Sequence, residues 1–85
     1  MRLRRIERFL LKGGFGLSER EIEVVELLVM GMSYGEIGER LFVSKETVKK
    51  HVGSVLMKVG VEDRVKLVIE LVGLNVIEYE RGKVE

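Results

Sequence analysis

From Ser44 to Lys58 the chain sets Lys45, Lys49, Lys50 and Lys58 against a single acid, Glu46, with the hydroxyls of Ser44 and Thr47 at the head of the run. These residue types suit recognition better than bond breaking. A lysine ammonium donates to guanine O6 and N7 or to phosphate oxygens, and a glutamate accepts from cytosine N4. Serine and threonine hydroxyls bond phosphate oxygens, and the N-H groups at a helix start are directed at the same anions. Ser44, Lys45, Glu46, Thr47, Lys49, Lys50 and Lys58 are therefore the candidate DNA-contacting residues.

Catalysis finds little to work with. There is one histidine, His51, no cysteine, and no carboxylate pair placed to converge. His51 falls inside the same segment beside apolar valines, where packing or a phosphate contact suits it better than acid–base work. It cannot build a metal site alone. Gly13-Gly14-Phe15-Gly16 lacks the strand, lysine and spacing of a phosphate-binding loop. No enzyme activity and no cofactor are expected.

Eighty-five residues, 46% hydrophobic and 34% charged, suffice for one small core and leave no room for a second domain. Without cysteine, stability rests on packing or association. No apolar run approaches the roughly 20 residues of a bilayer span, and no cleavable signal opens the chain, so a cytoplasmic protein is expected. The net charge of +1 argues weakly against nucleic acid, but the charges are segregated. Arg2, Arg4, Arg5, Arg8 and Lys12 crowd the start, Glu19, Glu21, Glu23 and Glu26 follow, and the lysines return after Ser44.

The elements that must position those lysines are legible from capping and period. Ser18 with Glu21 three residues on is a capping box, and Ile22, Val25, Leu28 and Val29 follow at helical spacing, predicting a helix over Glu19 to Met30 with Gly31 as its left-handed end. Ser33 with Glu36 opens a second, two-turn helix holding Ile37 and Leu41. Gly38 in its middle costs about 1 kcal/mol against alanine unless something passes close, and the first helix is expected to cross there. Ser44 caps a third helix after a very short turn, a helix-turn-helix pattern that can lay the third helix in a major groove. Val48, Val52, Val55 and Val59 mark its buried side; Glu46, Lys49, Lys50, Gly53 and Met57 lie opposite, with the glycine permitting a close approach.

Several spaced motifs now agree in order. Leu17-Ser18-Glu19-Arg20-Glu21, Glu36-Ile37-Gly38-Glu39-Arg40-Leu41, Ser44-Lys45-Glu46-Thr47-Val48-Lys49-Lys50-His51-Val52 and Gly60-Val61-Glu62-Asp63-Arg64 resemble the LuxR and GerE type helix-turn-helix of bacterial regulators, from Leu17 to about Gly73. The resemblance implies a four-helix DNA-binding domain whose third helix reads the major groove and whose fourth mediates dimer contact, with Thr47, Lys49 and Lys50 at DNA-contacting positions. The sequence departs from the family pattern at Gly35, Gly38, Gly53 and Leu67.

The fourth helix also follows from Asp63 as N-cap and a compatible run to Val72 before Gly73. Leu67, Val68 and Leu71 make one apolar face, and Val65, Ile69 and Val72 a second. That second face is either covered by an N-terminal helix bearing Leu3, Ile6, Phe9 and Leu10 or used by a second copy. The homodimer is favoured because paired half-sites give small helix-turn-helix modules their affinity. Val65, Ile69 and Val72 are thus the candidate dimer residues.

The expected architecture is all-α: a basic N-terminal helical arm with a glycine-rich linker (1–16), a compact four-helix helix-turn-helix domain (17–73) and a short tail (74–85) that forms a small hairpin around Arg81-Gly82 or frays. The expected function is a stand-alone DNA-binding transcriptional regulator of double-stranded DNA, acting as a homodimer. Regulation is left to abundance, a separate sensor chain or a contact to RNA polymerase. A sigma region four-like promoter module and a protein-interaction adaptor that kept the fold are the alternatives.

Overall fold

The computed structural model describes residues 2–80, which run β1 (Leu3–Ile6), α1 (Arg8–Phe15), α2 (Glu19–Val29), α3 (Tyr34–Leu41), α4 (Lys45–Val59), α5 (Arg64–Gly73) and β2 (Ile77–Tyr79). Each predicted N-cap is used, while α5 runs through Gly73 instead of stopping before it. Ser18 and Ser33 accept from the backbone N-H of Glu21 and Glu36, whose carboxylates return a bond to the serine N-H, so both capping boxes are closed. Ser44 accepts from Thr47 and Asp63 from Lys66 to start α4 and α5. Gly31 and Gly60 take the left-handed conformations that end α2 and α4.

Ile22, Val24, Val25 and Leu28 of α2 share one buried core with Val48, Val52 and Val55 of α4, Ile37 of α3, and Leu67 and Leu71 of α5. Among the described residues the molecule is mostly helical, and the four helices of the helix-turn-helix unit are α2 to α5.

Other features differ from expectation. The basic arm is helical only from Arg8; Leu3 to Ile6 form a strand that pairs antiparallel with the tail, Leu3 opposite Tyr79, Arg5 opposite Glu78 and Ile6 opposite Ile77. A helix through this segment would leave that backbone without its long-range partner, which sequence periodicity does not reveal. Gly13 and Gly14 belong to α1 rather than to a flexible linker, and the helix ends at left-handed Gly16. Leu11, fully buried, and partly buried Phe15 hold this glycine-containing turn in place, while Phe9 is left exposed.

The tail joins the fold, with Val76 and Ile77 buried and the Tyr79 hydroxyl donating to the Val29 carbonyl at 2.7 Å. The core therefore extends beyond residues 17–73 at both ends. Arg81-Gly82, the expected hairpin turn, lies outside the described residues.

A further difference is at Gly38. A β-carbon there would stand 2.7 Å from the carbonyl oxygen of Val43, so the close neighbour is the turn itself and not α2. The same turn holds Phe42 at φ 58°, ψ 42°, a left-handed conformation unusual for a bulky residue, with the residue 94% exposed.

Candidate nucleic-acid interface

The predicted recognition face assembles on α4. Glu46, Lys49, Lys50, Gly53 and Met57 are all exposed, opposite the buried Val48, Val52 and Val55. At the head of the helix the Ser44 and Thr47 hydroxyls are 2.9 Å apart and the Ser44 oxygen takes the Thr47 N-H, so both hydroxyls stand beside the helix N-terminus. Lys45 and Lys50 make no ion pair among the described residues; Lys49 lies 3.7 Å from Glu46, both side chains mostly in solvent. Such an exposed pair is weak and yields to a phosphate or a base edge.

Gly53 sits in the middle of this face, and a β-carbon there would meet nothing within 4 Å. Unlike Gly38, it answers to no packing demand inside the protein. Gly35 is similarly open, its nearest neighbour being the Ser33 hydroxyl at 4.0 Å.

Lys58 departs from the set. Its ammonium donates to Glu21 at 2.7 Å and to the Gly16 carbonyl at 3.3 Å, so it is turned toward the start of α2 instead of joining the other lysines. Helical position explains this: Lys58 is one turn beyond Ser54, whose hydroxyl also bonds Glu21, on the flank where α4 packs against α2. Glu21 is the buried partner, 5% exposed. Burial pushes its carboxyl up, but bonds from Lys58, Ser18 and Ser54 outweigh burial and hold it at about 2. The capping box pointed to Glu21 as a helix-start residue; its second role in joining two helices had no signal in sequence spacing.

The arm's charges are also spent within the protein. Arg8 bonds Glu19 and Glu26 of α2, Lys12 bonds Glu19, and Arg4 and Arg5 pair with Glu78 of β2. The charge segregation along the chain is thus complementarity between the arm and the two elements it packs beside. At the other end of the domain, the Arg64 guanidinium lies 5.1 Å over the Tyr34 ring, joining the start of α5 to the start of α3.

On α5, Leu67 and Leu71 are fully buried, whereas Val65, Ile69 and Val72 are 64%, 64% and 44% exposed. The N-terminal arm does not cover this second face, which leaves a three-residue apolar stripe in solvent.

Comparison with known proteins agrees with this geometry. Residues 16–71 match the family model described as bacterial regulatory proteins, luxR family. The spore germination protein GerE of Bacillus subtilis (strain 168) is 40% identical over 62 residues, 73% of this chain and 84% of its own length. The transcriptional regulatory protein DegU of Brevibacillus brevis is 46% identical over 54 residues, and LiaR of Bacillus subtilis (strain 168) is 40% identical over 53. The matches cover 64% and 62% of this chain but only 23% and 25% of those two relatives. With a capped helix-turn-helix, an exposed lysine face on its second helix and a family match over most of its length, the chain belongs to the luxR family of bacterial regulatory proteins.

Proposed function

We propose that the chain reads double-stranded DNA by laying α4 in the major groove as a cytoplasmic, stand-alone homodimer. Ser44, Lys45 and Thr47 meet phosphates at the head of the helix, and Glu46, Lys49 and Lys50 face base edges. The observation that carries this reading is the α4 outer face, on which these side chains and Gly53 gather beside the Ser44-capped helix start, with Glu46 as the only acid. Lys58, bonded to Glu21, is left out of the reading set.

The exposed Val65, Ile69 and Val72 support dimerisation, because a symmetric contact on α5 would bury them and set two α4 helices on successive half-sites about 34 Å apart.

The experiment is selection of randomised duplex DNA by the purified protein, followed by binding against salt concentration. Enrichment of a two-fold-related motif with a steep salt dependence is the expected result. Absence of binding at low salt would overturn the proposal and favour an adaptor that kept the fold.

A further inference from the structure

Glu21 is the only charged residue buried in the core among the described residues. Capping α2 does not require that burial. Ser33 and Glu36 close the same reciprocal box at the start of α3 with the Glu36 carboxylate in solvent. Glu21 therefore does something that Glu36 does not. Its Oε1 takes the Ser18 N-H at 2.8 Å and the Lys58 ammonium at 2.7 Å, while its Oε2 takes the Ser54 hydroxyl. Both α4 donors come from one flank of the helix, one turn apart.

The apolar contact between α2 and α4 is poor at setting such a position alone. The fully buried side of α4 is valine at 48, 52 and 55, with Leu56 and Val59 partly buried beside it, and a stripe made largely of one residue type penalises a small slide or rotation weakly. Hydrogen bonds and ion pairs are directional, so two donors anchored on one carboxylate fix both the height of α4 along its axis and its rotation. Rotation decides which way Lys49 and Lys50, on the same helix, point.

We infer that Glu21 is a positioning residue for DNA reading, holding the recognition helix in register through Ser54 and Lys58. The inference rests on the proposal that α4 is the reading helix. It also assigns Lys58 a role inside the protein in place of a phosphate contact.

The test compares wild type, Glu21→Gln, Ser54→Ala, Ser54→Thr and Lys58→Met at a temperature well below the lowest unfolding midpoint. Three quantities are read: thermal unfolding, affinity for the operator selected by wild type, and affinity for an unrelated duplex. Glu21→Gln and Ser54→Ala are expected to lose about tenfold in operator affinity while fully folded, with binding to unrelated duplex unchanged, and Ser54→Thr to restore it. Lys58→Met is expected to behave likewise and to keep the wild-type salt slope. If Lys58 instead touched a phosphate, Lys58→Met would weaken both duplexes and lower the slope by about one. Should Glu21→Gln fail to fold, the Ser54 pair decides, since it changes no charge and leaves the cap intact. Operator binding by folded Ser54→Ala at wild-type strength would overturn this inference alone; a wild type that binds no duplex would overturn the DNA-reading proposal on which it rests.

Discussion

The carbonyl oxygen of Val43 occupies the space beside Gly38, 2.7 Å from where a β-carbon would stand, and the Val43 N-H in turn donates to the Gly38 carbonyl at 2.9 Å. The turn of the helix-turn-helix thus folds directly onto its first helix. Backbone cannot step aside as a flexible side chain can. Gly38→Ala should destabilise the domain by roughly 1–3 kcal/mol, despite the better helix propensity of alanine. Denaturant unfolding checks this, and an equal or raised midpoint would mean that the turn yields without cost.

Phe42, in the same turn, is the opposite case. Its left-handed backbone costs an L residue roughly 1–2 kcal/mol, and its exposed ring recovers little by burial. Phe42→Gly should raise stability by about 1 kcal/mol, seen as a higher unfolding temperature. A lowered temperature would show that the ring contributes more to the fold than its exposure implies.

The Glu21 carboxyl makes stability depend on acid. Its folded value of about 2 lies below the ordinary 4.5, so its contribution is complete above pH 4.5 and is lost as pH falls through about 2. The loss over that window is roughly 3 kcal/mol. Urea midpoints measured from pH 5 to pH 2 should fall more steeply for wild type than for Glu21→Gln, and parallel curves would contradict the assignment.

Lys49 and Lys50 should divide the work of binding. Lys49→Ala and Lys50→Ala are each expected to cost roughly 1–3 kcal/mol if the lysine reads a guanine, with altered preference at one base pair. A lysine that holds a phosphate would instead lower affinity uniformly and reduce the salt slope by about one. Competition binding against single-base operator variants separates the two, and unchanged binding in both variants would move the reading surface elsewhere.

Ile69, central in the exposed stripe of α5, is the residue to charge. Ile69→Glu should leave a folded monomer, because the position touches no core yet would bury a carboxylate in a symmetric contact. Sedimentation equilibrium reads the outcome. Undiminished self-association would remove α5 from the interface.

The four helices of the helix-turn-helix unit and the make-up of its α4 face were determined by the sequence itself. Capping serines and aspartate, left-handed glycines and valines at helical spacing are local signals, and each depends on bonds made within a turn or two of chain. The exposed face of α4 follows from the same period, since the residues directly opposite the valine side face out.

Long-range partners decided the rest. Leu3 to Ile6 became a strand because Ile77 to Tyr79 supplied its hydrogen bonds from the far end of the chain. Arg8 and Lys12 of the arm pair with Glu19 and Glu26 of α2, a partnership that the charge of either segment alone does not reveal. Lys58 has the same residue type as Lys49 and Lys50, and only the packing of α4 on α2 brings it to a buried carboxylate instead of to solvent. Charge and period are properties of a segment, but the partner of a charge is set by which elements the core brings together, and that is decided in three dimensions.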